Sequence, residues 1–239
     1  MIIDIVTIFP EFFDVFLKTS IIKRAIDSKL IDIRLHQLRD YSHNKHRKID
    51  DTPYGGGAGM LMQFPPFYDV INKLRTKDTV VIMLSPQGKL FNQQQAIQLS
   101  ALKHVVLLCG HYEGIDARVE KLIDMEISIG DYVLTGGEIP AMIVADTIAR
   151  LVPGVILEAS AEADSLQNGW LKYPQYTKPE SYEGYAVPEV LISGNHQLIE
   201  SWRKKSSIER TVQKRPDLID RISLTEQERF ILKQMGFLK

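Results

Sequence analysis

The chain has 239 residues, 44% of them hydrophobic and 25% charged, enough to bury a core as one large domain or two small ones. Its 29 Lys and Arg nearly balance 30 Asp and Glu, for a net charge of −1, which excludes a uniformly basic nucleic-acid coat but not a local basic face. The single cysteine, Cys109, excludes an internal disulfide and a multi-cysteine metal site.

No apolar run approaches roughly 18 residues, so no transmembrane helix is expected. The start, Met1-Ile2-Ile3-Asp4, lacks the basic opening of a secretory signal. The expectation is a soluble, reduced, cytoplasmic protein. In chain order, Ile2 to Phe9 reads as a strand. Pro10 then suits a first helical turn, with Phe12, Phe13, Phe16 and Leu17 at helical spacing. Ile31 to Leu35 reads as a second strand. Thr79 to Leu84 and Val105 to Cys109 are near-continuous apolar runs, as parallel strands covered on both faces require. Asn92 to Leu102 between them predicts a helix, and a further helix is expected from Pro140 to Val152. The predicted class is α/β with an open, mostly parallel sheet.

Glu158 to Gly169 is small, polar and acidic, and reads as a linker or lid. From His196 the pattern is helical, with apolar faces at Leu198, Ile199 and Trp202, at Ile208 and Val212, and at Phe230, Ile231 and Met235. Residues 196–239 carry ten Lys and Arg against six Asp and Glu. The predicted organisation is 1–157 as a cofactor-binding domain, 158–175 as a flexible linker and 176–239 as a small, mainly helical domain.

Glycine-bearing loops stand out. Asp50 to Met60 contains Gly55-Gly56-Gly57-Ala58-Gly59, which fits neither a P-loop nor a dinucleotide fingerprint. Leu84-Ser85-Pro86-Gln87-Gly88 and Cys109-Gly110-His111-Tyr112-Glu113-Gly114 each close a predicted strand. Ser128 to Pro140 leads into a helix N-terminus, where backbone N–H groups are free. In open α/β sheets ligands bind at the carboxyl ends of strands, so loops gathered at one edge would form one pocket. Flanked by apolar residues, Cys109 reads as a buried strand residue rather than a nucleophile.

PYGGGAGM, LSPQG, CGHYEGID, SIGDYVLTGGEIPAM, Ala163-Asp164-Ser165 and SGNH, in this order and spacing, resemble the bacterial tRNA (guanine-N1)-methyltransferases of the TrmD type, in the knotted SPOUT class. The resemblance implies a trefoil knot and S-adenosylmethionine bound by Leu84, Ser85, Pro86, Gly110, Tyr112, Glu113, Gly114, Ile129, Gly130, Asp131, Tyr132, Val133, Leu134, Gly136, Gly137 and Pro140. It implies methylation of guanosine 37 in the tRNA anticodon stem-loop by a homodimer with shared sites, and a magnesium requirement for which no ligands are assigned. Many such enzymes carry arginine where this chain has His111.

Guanine N1 carries a hydrogen, so its methylation needs a base for that proton and a cation for the charge that develops on O6. By resemblance these are Asp164 and Arg150. The basic residues Arg47, Lys204, Lys205, Arg210, Lys214 and Arg215 are expected to meet RNA phosphates. Two other readings fit the same loops: a SPOUT methyltransferase acting on ribose or on ribosomal RNA, and a catalytically silent RNA-binding module. The latter would not respond to S-adenosylmethionine. A Rossmann-type methyltransferase is disfavoured, because no glycine-rich loop follows the first strand.

Overall fold

The computed structural model describes residues 1–157 and 164–238. The chain divides into two compact units, Met1–Glu158 and Ala159–Lys239. No helix among the described residues is long and apolar enough to cross a membrane.

The first unit is built on five strands: β1 (Ile2–Thr7), β2 (Asp32–Gln37), β3 (Thr79–Leu90), β4 (His104–Cys109) and β5 (Met125–Ser128). They lie in the order β2-β1-β4-β3-β5, and every neighbouring pair is parallel. The expected parallel α/β sheet is therefore present. Its main helices are α1 (Ser20–Asp27), α2 (Phe64–Leu74), α3 (Gln93–Ser100) and α4 (Glu138–Ala149).

Successive strand residues point to opposite faces, and β4 shows why its sequence is apolar throughout. Val105 and Leu107 join Ile3, Ile5 and Ile82 under Ala141, Val144, Ala145 and Ile148 of α4. Val106 and Leu108 face the other way, toward Phe67, Val70 and Ile71 of α2. Both faces are covered, so neither can be polar. Each such buried aliphatic side chain contributes about 2 kcal/mol.

Element ends differ from the sequence expectation in instructive ways. Asn92 does not enter α3 but caps it, its side chain accepting from the Gln95 N–H at 3.0 Å. Helix α4 begins at Glu138, which places Pro140 inside its first turn. Strand β3 does not end at Leu84. It bulges over residues 85–88 and pairs again with β5 through Lys89 and Leu90.

The second unit holds α5 (His196–Lys214) and α6 (Glu226–Gln234). Trp170, Ile208, Ile219 and Leu232 form its core. Within the stretch expected as a linker, 158–163 lie outside the described residues, whereas Trp170 is only 3% exposed and packs as core. In α6 Leu232 is buried and Ile231 and Met235 of the expected face pack against the core, while Phe230 is 60% exposed. The helix opens with a capping box between Thr225 and Glu228, which sets its phase.

Candidate active site

The register of the sheet gathers three loops. Leu84 of β3 is paired with Cys109 of β4 and with Ile127 of β5. The segments that follow, from Ser85, Gly110 and Ile129, therefore lie together at the carboxyl edge of the sheet. That edge is the binding edge of open parallel sheets.

Each loop is shaped locally. In the β3 bulge the Ser85 Oγ accepts from the Gln87 N–H at 3.0 Å. Gly88 runs against β5, where a Cβ would lie 2.4 Å from the Ile127 nitrogen. After β4 the Gly114 N–H turns back to the His111 carbonyl at 3.1 Å. This loop is tied to the end of the glycine-rich 50–60 segment, with Glu113 N–H donating to Met60 O and Met62 N–H to Gly114 O, both at 3.0 Å. The third loop closes onto the second through Gly137 N–H to Gly110 O at 2.9 Å.

Together the loops enclose a cleft of about 410 Å³, within the roughly 300–1,000 Å³ usual for small-molecule sites. It is lined by every residue predicted for cofactor binding except Asp131. The lining also includes His111 of the second loop, and Glu120 and Glu126, which motif reasoning missed because they belong to no glycine loop. Among the described residues, its carboxylates are Glu113, Glu120 and Glu126, and no Lys or Arg lines it.

Behind the cleft wall, Glu138 is 3% exposed. Its Oε1 accepts from the Thr7 hydroxyl at 2.6 Å, and its Oε2 shares a hydrogen bond of 2.6 Å with His111 Nε2. The Cys109 thiol is fully buried, and burial pushes its pKa well up, with the Glu138 charge adding to the effect. It is not an available nucleophile.

Arg150 and Asp164 fall in different units. Arg150 caps the end of α4, its N–H donating to Asp146 O at 3.1 Å. Asp164 opens a turn in the second unit, and its Oδ1 accepts from Lys172 Nζ at 3.3 Å.

The residues expected to meet RNA differ in their surroundings. Arg47 pairs with Asp40, Lys205 with Glu209 at 3.7 Å and Arg215 with Asp217 at 2.8 Å, all with largely exposed side chains. Arg210 is half-buried and Lys214 is exposed on α5. Lys204 is placed differently: its ammonium binds the buried Glu228 carboxylate and lies over the Trp170 ring at 5.6 Å, with its side chain 36% exposed.

A second hollow of about 400 Å³ is lined by Leu35, His36, Gln37, Asp40, Tyr41, Asp69 and Lys73. Its acids are already engaged, Asp40 by Arg47 and Asp69 by His43.

The family model described as tRNA (guanine-1)-methyltransferase TrmD matches residues 1–221. A tRNA (guanine-N(1)-)-methyltransferase of Acholeplasma laidlawii (strain PG-8A) is 60% identical over 236 residues, 98% of this chain and 97% of that protein. The proteins of the same name from Aster yellows witches'-broom phytoplasma (strain AYWB) and Dictyoglomus turgidum (strain DSM 6724 / Z-1310) are 55% and 50% identical. They cover 98% of this chain each, and 98% and 96% of their own lengths.

Proposed function

Because the chain belongs to the tRNA (guanine-1)-methyltransferase TrmD family, we propose that it methylates N1 of guanosine 37, next to the anticodon of tRNA, using S-adenosylmethionine. The observation that carries this reading is the cleft: three loops brought to one sheet edge and lined, among the described residues, by three carboxylates and no Lys or Arg. An anionic cleft of this size suits a small ligand with a sulfonium and an ammonium group.

Leu84, Ile129 and Leu134 supply apolar wall, while the glycine-bearing turns at 110–114 and 136–137 bring peptide groups close. When bound, S-adenosylmethionine supplies an electrophilic methyl group whose transfer leaves a neutral thioether. This chain's residues then have two tasks. Asp164 takes the N1 proton from guanine, which frees the electron pair that forms the new C–N bond. Arg150 faces O6, where negative charge gathers as that proton leaves. No covalent enzyme intermediate is needed, in keeping with the buried Cys109.

The same reading includes the SPOUT knot, a cytoplasmic location and a magnesium requirement without assigned ligands. It also includes a homodimer whose sites draw on both copies. In support of self-association, Phe12, Val15, Ile139 and Ile143 are exposed apolar side chains of the first unit.

The decisive experiment incubates a tRNA transcript with methyl-labelled S-adenosylmethionine and maps the label by nuclease digestion and mass spectrometry. The expected product is N1-methylguanosine at position 37. Label on a ribose or on another base would overturn the reading.

A further inference from the structure

Two of the cleft's carboxylates reach it from outside the glycine loops. In β5 Ile127 packs under α4, so Glu126 before it faces the opposite side of the sheet, level with its β3 partner Met83. On that side Val119 joins the core formed with α2. Val119 belongs to a short helical segment, Ala117–Leu122, which also carries Glu120. Met83, Glu120 and Glu126 all line the cleft. Among the described residues, the side chains of Glu113, Glu120 and Glu126 make no hydrogen bond and no ion pair. Glu113 packs close against Gly59, where an added Cβ would lie 2.5 Å from its Cγ, so it also shapes a loop. Glu120 and Glu126 are left with their charge directed at whatever fills the cleft.

We propose that Glu120 and Glu126 make the cleft prefer S-adenosylmethionine over the S-adenosylhomocysteine that transfer leaves behind, which rests on the reading that this cleft binds that cofactor. Methyl transfer breaks the C–S bond, whose electron pair stays on sulfur. The N1 pair of guanine forms the new C–N bond, and the N1 proton passes to Asp164. The ligand therefore loses its positive charge at sulfur and keeps its ammonium and its carboxylate. Apart from one methyl group the two ligands are alike, so strong discrimination between them must come from groups that sense charge. An unneutralised carboxylate attracts the sulfonium and has no such hold on the thioether. The cleft that draws in the methyl donor thus loosens its grip once the methyl group is gone, which favours product release. Glu126 is half-buried and Glu120 exposed, so water and salt screen Glu126 less and it carries the larger share.

The test is calorimetric titration of the protein with S-adenosylmethionine, S-adenosylhomocysteine and sinefungin, an analogue with a cationic amine in place of the sulfonium. Wild type is expected to prefer S-adenosylmethionine over S-adenosylhomocysteine by roughly tenfold, with sinefungin grouping with the former. Glu126→Gln is expected to narrow that preference by roughly three- to fivefold and Glu120→Gln by about twofold, both keeping their affinity for S-adenosylhomocysteine within about twofold. In wild type, raising the salt from about 0.05 M to about 0.5 M should weaken S-adenosylmethionine binding several-fold and leave S-adenosylhomocysteine nearly unchanged. A preference that survives both substitutions, equal salt dependence of the two ligands, or sinefungin grouping with S-adenosylhomocysteine would overturn the proposal. So would a variant that loses S-adenosylhomocysteine as well, since its glutamate would then shape the cleft rather than set its charge. If wild type binds none of the three ligands, the cofactor reading itself falls. If it binds them all without regard to charge, that reading stands and only the role of Glu120 and Glu126 falls.

Discussion

The Nε2 of His111 lies 2.6 Å from the Oε2 of Glu138, and this contact links the second and third cleft loops from behind. Glu138 is buried and needs its partners, because an acceptor cut off from water without a donor costs about 1–3 kcal/mol. The His111 ring also rests against Phe9, edge to face with centroids 5.0 Å apart. His111→Ala is expected to destabilise the protein by about 2 kcal/mol and to weaken S-adenosylmethionine binding several-fold. Urea unfolding and calorimetric titration check the two effects. Unchanged values for both would mean that the contact does not shape the cleft.

Gly137 has ordinary backbone angles, so an alanine there is opposed by space alone. Its Cβ would stand 2.6 Å from Cys109 Cα and 2.9 Å from the Gly110 nitrogen, and neither backbone atom can swing aside. Gly137→Ala is expected to cost about 1–3 kcal/mol and to abolish cofactor binding. Gly56 is the useful contrast, with φ +81 and nothing within 4 Å of the added carbon. Gly56→Ala is expected to cost about 1–2 kcal/mol through conformation and to leave cofactor affinity within about twofold. Melting temperature and ligand titration on both variants compare the two mechanisms.

Asp4 is a buried carboxylate in the middle of β1, hydrogen-bonded to His36 at 2.9 Å and to His104 at 2.6 Å. His104 is held from its other side by Thr79 at 2.8 Å. Burial alone would raise the Asp4 pKa, but the hydrogen bonds and charge of the two imidazoles outweigh it and hold it below the usual value. A carboxylate with a depressed folded value stabilises the fold above its unfolded value, about 3.9. That stability drains away as the pH falls from there through the folded value. Wild-type melting temperature is therefore expected to drop steeply below about pH 4. Asp4→Asn should be about 2 kcal/mol less stable at pH 7 and lose less on acidification. Parallel melting curves across that range would contradict the assignment.

The basic residues of α5 separate into two groups. Burial alone would lift the Glu228 carboxyl, but Lys204 and Thr225 outweigh this and hold it below the usual range. Lys204→Ala is expected to destabilise the second unit by about 1–3 kcal/mol and to change tRNA affinity mainly through that loss. Replacing Lys205 and Lys214 together with Ala should leave stability within about 0.5 kcal/mol and reduce the salt slope of tRNA binding by about 2. A filter-binding series in salt reads the slope. An unchanged slope would remove this helix face from the RNA footprint.

Much of the sheet and of the cleft was legible in the sequence. Doubly covered parallel strands must be apolar throughout, as Val105 to Cys109 are, and glycine is needed where one backbone meets another, as at Gly88 and Gly137. An apolar strand is marked along its whole length, and a glycine is visible in its own loop even though the backbone it meets, Ile127 for Gly88 and Cys109 for Gly137, lies far along the chain. The ordered loop motifs then pointed to the family. What remained hidden depends on partners far along the chain. The β3 bulge follows from its register with β5, Lys204 meets Glu228, which lies 24 residues later, and Lys172 comes to Asp164 through a turn bonded to α5. A charged or polar side chain carries no sequence mark of where it is spent, because its energy is decided by burial and by the opposite charge it meets, and only tertiary packing decides both.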